Sequence, residues 1–170
     1  MVVIGIDPGV ANTGFGIVEQ RGSALLALDG GVIDTPASMP LERRLASIAD
    51  RVSELLEQYS PDAMSIESIY FGRNAVSAFS VGQARGAVIC EAGRRGIEVA
   101  SYTPQQIKLS VCGSGGADKL QVQRMVTALL DLPGPLPPDH AADALAVGIC
   151  HINSAPLAAA MNSAPAEVVL

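Results

Sequence analysis

Residues 1–19, MVVIGIDPGVANTGFGIVE, contain the stretch whose pattern decides the architecture. Met1 to Ile6 is a short apolar run that reads as a buried strand, and it stops at Asp7. Pro8 and Gly9 then impose a turn, and Gly14 to Glu19 resumes the strand pattern. Ser23 to Ile33 continues with apolar residues between Gly22 and Pro36, which predicts a third strand. Connections this short leave no room for a helical crossover, so the three strands are expected to form an antiparallel meander.

Further along, the period changes. Leu41, Leu45, Ile48, Val52, Leu55 and Leu56 recur at three and four, an amphipathic helix ending near Ser60-Pro61. Ala63 to Glu67 is a short strand, and Ala75 to Gly93 a second helix in which Gly82 and Gly86 suit close backbone contact with another element. Ile97 to Ala100 reads as a strand, Thr103-Pro104 as the cap of a short helix, and Gly113 to Gly116 as a flexible hinge. Asp118 to Leu130 places Val122, Met125, Val126 and Leu129 on one helical face, and Asp139 opens a last helix through about Asn153. A meander followed by strands interleaved with helices predicts an α/β fold: a mixed five-stranded sheet flanked by helices. The expected organisation is one domain over residues 1–155 and a flexible tail, rich in Ala, Ser and Pro, over 156–170.

Length agrees with that. A chain of 170 residues, 49% hydrophobic, can bury a single core, covering roughly 70% of the surface that it exposes when unfolded. Cys90, Cys112 and Cys150 are widely spaced among apolar neighbours, which predicts buried thiols in a reducing compartment rather than disulfides or a metal knot. The first apolar run is too short to export the chain or span a membrane, so a cytoplasmic protein is expected. Charge is the awkward feature: 17 acidic residues against 11 basic give a formal net charge of −6, against the usual balance of a nucleic-acid binder. Acids that ligate cations would reverse the local field, and affinity depends on where the basic residues lie.

Two acids stand where burial makes them costly unless paired or bound to metal. Asp7 ends one strand and Glu67 another, and the element order sends both to the C-terminal ends of neighbouring strands. At the start of the last helix, Asp143 lies three residues from His140 and four from Asp139; spacing alone does not choose between these two. Such carboxylates suit Mg²⁺ or Mn²⁺, and two ions about 4 Å apart can activate water and stabilise a departing oxygen. The competing readings are a turn-forming Asp7 and an N-cap Asp139. Lys108 and Lys119, the only lysines, flank the Gly113 to Gly116 loop and suit point contacts to phosphates, as do Arg73 and Arg124; solvated surface cations are the alternative. Tyr70 and Phe71 in SIYFGRN either plug the core or offer a face on which a base stacks.

Four segments, IGIDPGVANTGFGIV (4–18), AMSIESIYFGRNAVSAFSVGQARGAV (63–88), YTPQQIKLSVCGSGGADKLQVQRMV (102–126) and DHAADALAVGICH (139–151), resemble in this order the crossover junction endodeoxyribonuclease RuvC family, the Holliday junction resolvases. The resemblance implies an RNase H-like fold and a homodimer acting on four-way junction DNA. It implies Mg²⁺-dependent hydrolysis of two opposed strands, leaving 5′-phosphate and 3′-hydroxyl ends, and cooperation with a RuvA–RuvB branch-migration complex. It assigns Asp7, Glu67, His140 and Asp143 to the metal-binding catalytic site and leaves Asp139 as a helix cap. Lys108 and Lys119 fall on lysines implicated in phosphate contact and charge stabilisation, and Tyr70 on an aromatic that engages the junction centre. Relatives commonly carry phenylalanine at the Tyr70 position, and some carry Asp where His140 stands or end in a more basic tail. IGIDPGVANTGFG also resembles the first phosphate loop of actin-like kinases and ATPases, which need two such lobes. A nuclease of the same fold acting on RNA or non-junction DNA is the other alternative.

Overall fold

A computed structural model describes residues 1–68, 75–134 and 139–163, and of these the side chains of all but 75–77, 139 and 156–163. Strand β1 (Val2–Asp7) pairs antiparallel with β2 (Asn12–Arg21), and β2 pairs antiparallel with β3 (Ala24–Asp34), as the short connections require. Helix α1 (Leu41–Tyr59) crosses to β4 (Ala63–Glu67), which lies parallel to β1. Helix α2 (Ala75–Arg94) then crosses to β5 (Glu98–Tyr102), parallel to β4. The sheet order is β3-β2-β1-β4-β5. Helices α3 (Pro104–Cys112), α4 (Lys119–Leu129) and α5 (Asp139–Ser163) complete the chain.

Strand alternation divides the interior into two cores. Ile4, Ile6, Met64 and Ile66 point to one face and pack with Ile48, Val52, Leu55 and Leu56 of α1 and Ala84, Val88 and Ala92 of α2. Val3 and Val18 point to the other face and pack against Ile107, Val122, Val126, Leu145 and Ile149 from α3, α4 and α5. Each Val, Leu, Ile or Met side chain buried this completely contributes about 1.5–3 kcal/mol by transfer alone.

Local chemistry sets the helix ends. Ser60 closes α1 in the left-handed region at φ 43°, its N–H donating to the Leu56 carbonyl. Thr103 and Gln106 form a capping box at α3, with Pro104 in the first turn. Asp118 and Gln121 form a second box at α4, a D-x-x-Q signature that hydrophobic periodicity alone passes over.

Helix α5 lies directly on sheet backbone. A Cβ on Gly5 would stand 2.0 Å from the Ala144 carbonyl oxygen, and one on Gly14 2.1 Å from that of His140. Only glycine at these points lets the first turns of α5 descend onto β1 and β2.

Several expectations shift. Helix α5 continues to Ser163 rather than ending near Asn153, and β5 begins and ends later than Ile97 to Ala100. Gly86 faces open space, with nothing within 4 Å of where a Cβ would be, so it makes no close helix contact among the described residues. Cys90 is exposed on α2 while Cys150 is buried; apolar sequence neighbours misplace Cys90 because it lies on the outward side of its helix. No helix among the described residues is long and apolar enough to cross a membrane.

Candidate active site

Register brings the first two acids together. Ile6 pairs with Ile66 in the parallel β1–β4 ladder, so Asp7 and Glu67 follow side by side where the strands end. Period two places Asp7 on the same face as Val3 and Gly5, and Glu67 on the face opposite Met64 and Ile66. Both acids therefore project toward α5. Asp7 pairs across the sheet with Gly14, the residue on which the His140 carbonyl rests, so the first turn of α5 is delivered next to Asp7. His140 Nδ1 lies 2.7 Å from Asp7 Oδ2.

One helical turn on, Asp143 joins them. Single ligand atoms of Asp7, His140 and Asp143 all lie within 4.8 Å of one another. Lys119 at the start of α4 reaches Asp143, with Nζ 3.4 Å from Oδ2. A cleft of about 230 Å³ opens here, lined by the acids Glu67 and Asp143, the cations Lys108 and Lys119, and apolar Ile107 and Val122.

The electrostatics are those of a site short of positive charge. Burial pushes the Glu67 carboxyl up to about 7, helped by the neighbouring Asp7 and Asp143 charges and by hydrogen bonding to Asp7, against a smaller opposing pull from Lys108. Asp143 is also raised, chiefly by burial, with Asp7 adding to the effect and Lys119 opposing it. A bound cation would relieve both groups, and a hard oxygen-rich donor set with one imidazole fits a divalent ion such as Mg²⁺ or Mn²⁺.

Of the residues singled out from the sequence, the structure brings together Asp7, Glu67, His140, Asp143, Lys108 and Lys119. Tyr70 and Arg73 lie outside the described residues, as does the side chain of Asp139, which opens α5. Sequence reasoning missed Arg85. From α2 it donates to the Glu67 carbonyl at 2.8 Å and to Ser101 Oγ at 2.6 Å, tying the end of β4 to β5. Nothing in its local sequence marks that role, because both acceptors are brought to it by the sheet.

A family profile described as crossover junction endodeoxyribonuclease RuvC matches residues 3–151. This chain belongs to the RuvC family. The RuvC of Ruminiclostridium cellulolyticum is 46% identical over 154 residues, covering 91% of this chain and 93% of that protein. The RuvC of Thermomicrobium roseum is 48% identical over 151 residues, covering 89% and 92%. Among solved structures, RuvC from Thermus thermophilus in complex with a Holliday junction substrate superposes with a TM-score of 0.89 at 38% identity, covering 93% of this chain and 96% of that one. Another Thermus thermophilus RuvC structure gives 0.86 at the same identity, covering 93% and 97%. The yeast mitochondrial Holliday junction resolvase Ydc2, at 17% identity and a TM-score of 0.62, shares the fold. The RNase H-like architecture expected from the four motifs is thus present, with the RuvC-type meander and two parallel crossovers.

Proposed function

We propose that this chain is a structure-selective endonuclease that resolves four-way Holliday junctions in DNA recombination and repair. The observation that carries the reading is the meeting of Asp7, His140 and Asp143, with Glu67 next to Asp7 and lining a cleft together with Asp143, Lys108 and Lys119, in a chain that matches RuvC over residues 3–151. Asp7, Glu67 and Asp143 would hold Mg²⁺, two ions per site, for which Mn²⁺ can substitute, and His140 would either ligate or orient water. Bound there, such ions activate a water molecule and stabilise the departing 3′ oxygen. Lys119, 3.4 Å from Asp143, would stabilise charge on the phosphoryl oxygens, and Lys108, which lines the same cleft, would contact the phosphate. Tyr70 and Arg73 are assigned to the junction DNA, Tyr70 by stacking where the duplex opens. Hydrolysis leaves 5′-phosphate and 3′-hydroxyl ends.

A four-way junction has two equivalent strands to cut, and each subunit offers one site, so a two-fold homodimer suits the substrate. The outward side of α2 supports this: Phe79 is 69% exposed and Gly86 opens onto free space. Such a resolvase works in the cytoplasm with a RuvA–RuvB branch-migration complex, with residues 1–155 as its nuclease domain and 156–170 as a tail.

Parallel digestion of a four-way junction, a plain duplex and an RNA–DNA hybrid, with Mg²⁺ and with chelator, tests the proposal. Junction cutting should dominate and need the metal, and Asp7→Asn should keep junction binding while cutting on the order of 100-fold more slowly. An Asp7→Asn variant as active as the parent would refute the metal role; preferential cutting of the hybrid would favour an RNA-directed nuclease instead.

A further inference from the structure

The turn that carries the chain away from Asp7 is latched by α1 and by the end of β3, neither of which lines the cleft. Gly9, Val10 and Ala11 present three successive carbonyls, and each accepts from a threonine. The Thr13 hydroxyl donates to Gly9 at 2.6 Å, the Thr35 hydroxyl to Val10, and the Thr35 N–H to Ala11 at 2.9 Å. Thr13 and Thr35 are 0% and 4% exposed, so water does not compete for either. Thr35 is held in turn by Arg44: Nε donates to Thr35 Oγ1 at 2.8 Å, and Nη2 to the Thr35 carbonyl at 3.2 Å. A hydroxyl has one proton; with that proton given to Val10, the Arg44 N–H occupies its accepting side and fixes its direction.

The site gives this latch a purpose. Asp7 lies 2.7 Å from His140, and one ligand atom each of Asp7, His140 and Asp143 lie within 4.8 Å of one another, so a cation held there needs the backbone at Asp7 to stay where it is. Strand β1 cannot yield, because β2 and β4 pair with it on both sides. The turn after Asp7 is where the chain could give way, and three held carbonyls prevent it. We propose that Arg44, acting through Thr35, is a positioning residue for Asp7: it stiffens the turn so that the acid cluster is ready for a divalent cation before one arrives. This rests on the reading of the cluster as a metal site.

Calorimetric titration of the full chain with Mn²⁺, without DNA and well below the unfolding transition, decides it. Thr35→Val keeps the shape and loses the hydroxyl; Arg44→Gln loses the guanidinium from a half-exposed position and guards against a variant that does not fold. Each should bind Mn²⁺ about tenfold more weakly, and Thr35→Ser, which keeps the hydroxyl, should return to within about threefold of the parent. Ser53→Ala removes a different α1 hydrogen bond, the one it accepts from Arg95 at 2.6 Å, and should lower the thermal midpoint with parental Mn²⁺ affinity. Parental affinity in both Thr35→Val and Arg44→Gln, or an equal loss in Ser53→Ala, overturns the positioning role and leaves the metal reading standing. A parent protein that binds no Mn²⁺ overturns both.

Discussion

Burial and two neighbouring carboxylates keep the Glu67 carboxyl protonated up to about pH 7, whereas in the unfolded chain it ionises near its ordinary 4.5. The folded state therefore holds more protons across that window, and the contribution of Glu67 to stability falls as pH rises through it and is level above. For the metal-free protein in chelator, Glu67→Gln should match the parent near pH 4.5 and become relatively more stable by pH 8. Thermal unfolding across pH measures this, and parallel curves for the two proteins would show that Glu67 is not held protonated. A cation displaces the same proton, so metal affinity should rise with pH through the window and level off above about 7. Lys119 and Asp143 form a partly exposed pair, so the pair's value lies in aiming an ammonium into the cleft more than in stability.

At the scale of the element, α5 decides whether there is a site at all. Its first turn supplies His140 and Asp143, and its seat on Gly5 and Gly14 leaves no space for a methyl group. Gly5→Ala should lift the helix, cost about 3 kcal/mol, lower the thermal midpoint by roughly 6–12 °C and reduce cleavage more than junction binding. Gly30→Ala is the matched control, since a Cβ there meets Leu145 at an ordinary 3.4 Å; it should be neutral or stabilising by about 0.5–1 kcal/mol. Equal unfolding temperatures for the two variants would mean that the helix is not seated so tightly. Sequence reading places the helix start and the acid at its first full turn, yet takes the glycines only as turn and strand punctuation. Gly5 and Gly14 look alike whether they face solvent or a helix, and only the packed partner distinguishes the cases.

At the scale of the molecule, the sheet separates two tasks. Its α3–α4–α5 side builds the cleft, while its α1–α2 side is a plain apolar core whose outer helix leaves Phe79 uncovered. If that surface joins two copies, Phe79→Asp should yield a monomer in sedimentation at micromolar concentration while changing the protomer's own stability by no more than about 0.5 kcal/mol. Junctions should then be nicked once at a time rather than cut on both strands within one encounter. A variant that sediments as the parent does would place the dimer contact elsewhere. The net charge of −6 also becomes intelligible at this scale. Among the described residues, the cations that line the cleft are Lys108 and Lys119.

By itself the sequence determined the meander, the strand–helix alternation and the placing of Asp7 and Glu67 each at a strand end, because period-two alternation and short turns act between near neighbours in the chain. It determined the helix ends at Ser60 and Thr103 for the same reason. What only the tertiary structure decided is the contact of His140 with Asp7, the tie from Arg85 to Glu67, and the latch from Arg44 through Thr35 to the turn after Asp7. Each joins groups that are remote in sequence and carries no local signature. Whether a polar side chain there becomes a ligand, a tie or a solvated surface group depends on which backbone the fold brings within hydrogen-bonding distance.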